Sequence, residues 1–155
     1  MDPARFDGLR DAEAALRLRR HRARQRVIDS AVALVLGGVD LLEVAILAGD
    51  DRVDDRELER DLDRALTALG LELLDTEGSA LRLATAIAND ILVGAGDLRA
   101  SARSVWDLWL AAGFPDNRLA QFAYVADGFV DEPTYFPESA LREAAAGFVA
   151  QAPTG

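Results

Sequence analysis

The sequence predicts an all-α fold, in which residues 1–155 form a single-domain bundle of six or seven helices. Apolar residues recur with the period of an α-helix, and no stretch alternates between apolar and polar residues as a strand would. The chain has 155 residues, half of them apolar, which is the size and composition of one globular domain. We expect residues 1–8 and 152–155 to be frayed.

The first helical segment is predicted over Leu9–Arg24. No break signal follows it, so the helix either ends there or continues to Leu36. Residues 27–36 are apolar on nearly every side, which predicts that they are buried. Gly37-Gly38 then ends the segment, because glycine is the usual residue after a helix. A short apolar helix is expected over Leu41–Ala48.

The next helix begins with the pattern of a capping box. Asp54 is a typical N-cap, and Glu57 follows three residues later. The helix is predicted to end near Leu69. One face carries Leu58, Leu62, Leu66 and Leu69, and arginines and acids form two further stripes. Neighbouring opposite charges stabilise a helix by about 0.2–0.5 kcal/mol per pair, so a solvated face is the simplest interpretation of these stripes.

Four more helices are expected in the second half of the chain, each delimited by Asp, Pro or Gly residues. They are predicted over Ser79–Val93, from the cap Asp97 to about Ala112, from the cap Asp116 to about Phe129, and from Pro137 to about Gln151.

Composition excludes several classes of site. The chain has no cysteine, so it has neither disulfides nor thiolate metal sites. Its single histidine, His21, excludes a multi-histidine zinc centre within one chain. No cofactor is indicated. The net charge of −10 makes nucleic acid an unlikely partner, since phosphate binding needs a basic face. No run of 18 apolar residues occurs, so we expect no membrane span and a cytoplasmic protein.

A basic block, Arg17–Arg26, interrupts this acidic chain. It contains six arginines and the single histidine, whereas the chain has no lysine. On a helix, Arg17, Arg20 and Arg24 would share one side. Three interpretations remain open: the block pairs with the acidic helix of its own chain, it contacts another protein or a second copy of this one, or it contacts nucleic acid or an anionic membrane. We expect Arg20 and Arg24 to bind a partner.

An acidic segment, residues 50–55, raises an alternative function. Asp50 to Asp54 form a DDxxD pattern, with which prenyltransferases and terpene cyclases hold magnesium, and Asp90 lies in part of a second such motif. Over residues 45–64, the spacing of Asp50, Asp54 and Glu57 resembles the acidic loop of TerB-like helical proteins. Both resemblances imply a magnesium-dependent enzyme or a metal-binding helical domain that uses Asp50, Asp54 and Asp90.

Residues 83–110 carry a second pattern, in which an isoleucine-rich helix ends in a glycine turn and the next helix carries a small residue and then a bulky one with Trp. The matching residues are Ile87, Ile91, Gly94, Ala102, Val105 and Trp106. The pattern resembles small bacterial helical proteins of undefined role and colicin-D-type immunity proteins. The resemblance implies a protein that neutralises or regulates a partner, and no catalytic residue comes with it.

Aromatic residues concentrate after residue 105. Core packing accounts for most of them, including Trp106 and Trp109, whose spacing is typical of one buried helix face. Tyr135 and Phe136 differ, because Pro133 and Pro137 flank them in a loop, where residues often serve binding. We predict a non-enzymatic, cytoplasmic protein that binds or regulates a partner, with a dimer as one possible assembly. Its expected contact residues are Arg20, Arg24, Trp109, Tyr135 and Phe136.

Overall fold

The structure is a computed structural model that describes residues 2–115 and 117–152. All regular structure in these residues is helical, which confirms the predicted all-α class. A short 3₁₀ helix over Pro3–Phe6 precedes eight α-helices: α1 (Asp7–Arg17), α2 (Ala23–Leu36), α3 (Leu42–Ala48), α4 (Asp55–Ala68), α5 (Thr76–Val93), α6 (Leu98–Ala111), α7 (Arg118–Asp131) and α8 (Glu138–Ala150). The count of α-helices exceeds the predicted six or seven, because a break after Arg17 divides the first predicted segment.

The chain divides into two compact units, Met1–Ser79 and Ala80–Gly155, called the N-terminal and C-terminal units below. That both belong to one domain stays a prediction. Residues 3–8, which we expected to be frayed, lie in the 3₁₀ helix and the start of α1. They are held there because Phe6 is buried and the Asp2 side chain accepts the N–H of Ala4 at 3.0 Å. Residues 153–155 lie outside the described part.

The core of the N-terminal unit forms between consecutive helices, as α1 packs on α2, α2 on α3 and α3 on α4. The amphipathic pattern of α4 is confirmed, since its leucines at positions 58, 62 and 66 are fully buried. The predicted cap is confirmed too, because the Asp54 carboxylate accepts the N–H of Glu57 at 2.8 Å. Burial of apolar surface and a local cap thus agree on where this helix begins and which face it buries.

The basic block is not helical throughout, which corrects the predicted helix over Leu9–Arg24. At its end, α1 is closed by two hydrogen bonds, from Arg19 N–H to Leu16 O at 3.0 Å and from Arg20 N–H to Ala15 O at 2.8 Å. This pattern is a Schellman motif, with Arg19 at φ 51° in the position that glycine usually takes. Arg22 is also left-handed, at φ 58°, and α2 starts directly after it.

The prediction that residues 27–36 are buried is wrong in part. One side of α2 enters the core through Val27, Ile28, Ala31 and Leu34. The other side is open, with Val32, Val35 and Leu36 exposed. The reason is geometric, since a helix that packs against its neighbours on one side leaves the opposite side to solvent whatever its composition. Gly37 closes the helix as expected, and Gly38 follows at φ 85°.

In the C-terminal unit, α6 packs on α7 and α7 on α8. Its buried side chains include Ile91, Val105, Leu108, Leu119, Phe122, Leu141 and Phe148, with alanines between them. The Asp97 cap is confirmed by its hydrogen bond from Ala100 N–H at 2.7 Å. The predicted cap Asp116 lies outside the described residues, and Asn117 accepts the N–H of Leu119 at 2.8 Å at the start of α7. No helix within the described ranges is both long and apolar enough to cross a membrane.

Candidate functional site

A groove of about 810 Å³ lies between α7 and α8 in the C-terminal unit. Phe122 and Phe148 contribute the buried part of its wall, with ring centroids 5.1 Å apart. Two of the predicted contact residues, Tyr135 and Phe136, line it from the loop that joins the two helices. The structure therefore brings these residues together at one concave surface, as a ligand-binding surface requires.

Phe136 is seated on α7 by a glycine. A Cβ atom added to Gly128 would lie 2.4 Å from the Phe136 ring, so only glycine allows this close approach. The Tyr124 ring meets the Phe136 ring edge-on, with centroids 5.6 Å apart. Tyr135 is 80% exposed, even though its N–H donates to Glu132 O at 3.0 Å and fixes the loop backbone. A held backbone with an exposed aromatic side chain is the arrangement of an interface anchor.

The groove has one basic residue, Arg118, and the chain itself uses it. Its Nη1 donates to Phe148 O at 2.5 Å, and its guanidinium carbon lies 4.2 Å from the centre of the Phe148 ring. Burial lowers the pKa of Arg118, although an arginine keeps its proton in proteins. Arg118 thus supports the buried wall of the groove through a hydrogen bond and a cation–π contact.

One acidic residue lines the groove, and two more stand close to Tyr135 in the sequence. Glu143 lines it from α8, whereas Asp131 ends α7 and Glu132 follows it, three residues before Tyr135. All three are exposed, and no basic group of the described residues lies within 4.0 Å of their carboxylates. Arg142 is occupied elsewhere, since it pairs with Glu138 at 2.8 Å and donates to Ile91 O. The groove therefore combines apolar walls with one exposed acid in its lining and two exposed acids in the chain just before Tyr135.

Trp109, the third aromatic contact residue that we predicted, lies in α6 and does not line the groove. It is half-buried, and its indole N–H donates to Pro115 O at 3.0 Å. The rings of Trp106 and Phe114 each lie with their centroids 5.1 Å from it. These contacts indicate that Trp109 mainly packs against its neighbours at the end of α6.

The predicted basic contact residues lie in the N-terminal unit and have different surroundings. Arg24 pairs with Asp55 at 3.2 Å and donates to Asp50 O at 3.0 Å and to Val53 O. Arg17 pairs with Asp63 and, at 3.4 Å, with Glu13. Arg17 and Arg24 therefore pair with acids of their own chain, as the first of the three interpretations of the basic block expects. Arg20 instead lines a pocket over the break between α1 and α2.

The acidic segment has one buried member. Asp50 is 5% exposed, and its Oδ2 has no hydrogen-bond partner among the described residues. Burial, and after it the neighbouring Asp61 carboxyl, together raise the pKa of Asp50 to about 6, against the opposing charge of Arg24. Asp54 is the cap of α4, and Asp90 lies on α5 in the other unit. Nowhere in the described residues do three or more potential metal ligands converge.

Glu13, a fully buried acid of the N-terminal unit, was not predicted from the sequence. Arg10 donates to it at 2.6 Å, Arg17 at 3.4 Å, and the N–H of Leu74 at 2.8 Å. Its position was readable, because Glu13 lies four residues after Leu9 and three before Leu16, on the apolar stripe of α1.

Comparison of the chain with protein-family models, curated proteins and solved structures finds no match.

Proposed function

We propose that this chain is a small, non-enzymatic, cytoplasmic binding protein that regulates a partner protein, in the manner of an immunity protein, through the groove between α7 and α8. The observation that carries the proposal is the exposed Tyr135 beside Phe136 at an apolar groove, with the exposed Glu143 in its lining. Exposed aromatic anchors next to a pocket are where protein interfaces concentrate their binding energy.

The chemistry of the groove selects a cationic partner. An apolar side chain of the partner would lie in the groove against Tyr135 and Phe136, while basic side chains would meet Glu143 and the acids before Tyr135. The net charge of −10 favours the same class of partner at longer range, because opposite charges accelerate encounter. A second copy of this chain fits less well, since its own acidic surface would be repelled.

A random-peptide display library tests this proposal without a known partner. We expect selection on the intact protein to enrich peptides in which an apolar residue is flanked by Lys or Arg. Binding of these peptides should fall at least about tenfold in Tyr135→Ala, which corresponds to about 1.4 kcal/mol. It should fall equally in Gly147→Leu, because a side chain at Gly147 meets nothing within 4 Å and would project into the groove.

Val93→Ala is the matched control, since Val93 is exposed in the same unit but does not line the groove. Its affinity for the selected peptides should equal that of the unchanged protein. The proposal is wrong if selection yields acidic peptides, if it yields none, or if the peptides bind Tyr135→Ala and Gly147→Leu as tightly as the control.

A further inference from the structure

The break between α1 and α2 forms a pocket of about 750 Å³ in the N-terminal unit. Four arginines line it, and the acid that lines it, Asp29, is held by a 2.7 Å hydrogen bond from Gln25. The arginines are Arg19, Arg20, Arg22 and Arg26. The proposed partner groove does not involve this pocket, so the function of the pocket is a separate question.

These four arginines lack partners within the part of the chain that is described. None lies within 4.0 Å of a carboxylate, in contrast to Arg17 and Arg24 at the two sides of the break. Glu59 and Asp55 line the adjacent hollow with Arg19, Arg20 and Arg22, but the guanidinium that Asp55 pairs with is that of Arg24. Four positive charges thus share one pocket with a single carboxylate, that of Asp29, and this excess of positive charge favours the binding of an anion.

The backbone supports the same preference. Arg22 is the N-cap residue of the 14-residue α2, and its side chain does not cap the helix. The N–H of Ala23 is already bound to Arg20 O at 3.2 Å, but the positive end of the helix dipole at this first turn attracts negative charge. The net charge of the whole chain does not cancel this preference, because salt screens exposed charges over about 8 Å at physiological ionic strength. An anion inside the pocket therefore interacts mainly with the arginines around it.

We propose that this pocket binds a compact, multiply charged phosphate compound. Guanidinium groups match the oxygen geometry of phosphate through paired hydrogen bonds, better than they match a single chloride. Arginine, histidine, glutamine and aspartate side chains line the pocket, and no aliphatic residue is among its lining residues, so an acyl chain finds no aliphatic side chain to pack against. A small ligand that carries its charge in phosphoryl oxygens is the ligand that such a lining selects.

Titration calorimetry with inorganic pyrophosphate tests the proposal on the full chain. The decisive variant is Arg19→Gly with Arg22→Gly, because both residues have left-handed backbone conformations that glycine adopts without strain. This variant removes two charges and preserves the turn. We expect its affinity for pyrophosphate to fall at least about tenfold. The matched control, Arg56→Gln with Arg60→Gln, removes the same charge from the exposed surface of α4 and should bind as the unchanged protein does.

A second variant, Arg20→Gln with Arg26→Gln, guards against misfolding of the first and should show the same loss. Arms with ADP and with citrate separate the possible sources of the oxyanion. ADP should bind no more tightly than pyrophosphate, and citrate should bind more weakly. The proposal is overturned if pyrophosphate at millimolar concentration gives no binding heat at low salt, if the α4 control loses as much affinity as the pocket variants, or if ADP or citrate binds at least about tenfold more tightly than pyrophosphate.

Discussion

Asp50 gives the N-terminal unit a stability that depends on pH. The pKa of its carboxyl is raised from 3.8 to about 6, first because it is buried and then because it faces Asp61. A carboxyl with a raised pKa in the folded state binds its proton more tightly there than in the unfolded chain. Its stabilising contribution is therefore complete below pH 3.8, decreases as the pH rises, and is lost above pH 6.

The size of this effect follows from the shift. Each pKa unit corresponds to 1.36 kcal/mol, so a shift from 3.8 to about 6 gives an upper value of about 3 kcal/mol. Part of this shift comes from the neighbouring Asp61 carboxyl, so the value is an upper limit for the buried charge of Asp50 alone. We therefore expect a measured effect of about 1–3 kcal/mol.

Asp50→Asn removes the buried charge and keeps the shape of the side chain. At pH 7.5 we expect its free energy of unfolding, measured by urea titration with circular dichroism, to exceed that of the unchanged protein by about 1–3 kcal/mol. At pH 3 the gain should nearly vanish, because the Asp50 carboxyl is then protonated in both the folded and the unfolded state, whose pKa values are about 6 and 3.8. Asp51→Asn, in the exposed neighbouring position, is the control and should change little at either pH. A gain that is the same at both pH values, or a loss at pH 7.5, would refute the reasoning.

Two further substitutions test contacts that the fold depends on. Glu13→Ala should lower the free energy of unfolding by about 3–5 kcal/mol, because it leaves Arg10 and Arg17 without their buried partner; urea titration measures this, and a loss below 1 kcal/mol would contradict it. Gly128→Ala should displace Phe136, since the added Cβ would lie 2.4 Å from the ring; the chemical shifts of the ring protons should move, and unchanged shifts would disprove the close packing.

Local chemistry made much of the fold predictable from the sequence. Asp54 and Asp97 cap their helices as expected, because a short carboxylate before a helical segment reaches the free N–H groups of that same segment. Gly37 and Gly38 end α2 for an equally local reason. In each case, residues within one turn of each other decide the outcome, so no knowledge of the packing is needed.

The break between α1 and α2 was not predictable in this way. Arg19 and Arg22 take left-handed backbone angles, which arginine rarely adopts. No glycine, asparagine or proline in this stretch indicates a turn. Such a conformation persists when distant contacts stabilise it. Here Arg17 reaches Asp63 and Arg24 reaches Asp55, so α4 holds the chain on both sides of the turn.

One side of the candidate groove could be predicted from the sequence, and the other could not. The flanking prolines identified Tyr135 and Phe136 as loop residues, and the structure places both on the groove. The opposite wall depends on how α7 packs on α8, which brings Arg118 and Phe148 together from positions 30 residues apart. Spacing within one helix carries no information about such a pair, so the wall emerges only from the packing.

The basic block acquires two roles from a single change of backbone direction. Had it continued as one helix, its arginines would have alternated around one axis, and the acids of α4 would have met a single stripe of them. The break instead lets Arg17 and Arg24 pair with α4 from either side and leaves the arginines between and after them to line a pocket. Ion pairs with α4 neutralise the two arginines that hold the turn, Arg17 and Arg24. The turn brings the remaining arginines together around the pocket. A local anion site and an overall acidic protein are therefore compatible, because net charge acts over the distance of encounter and the pocket acts within a few ångströms.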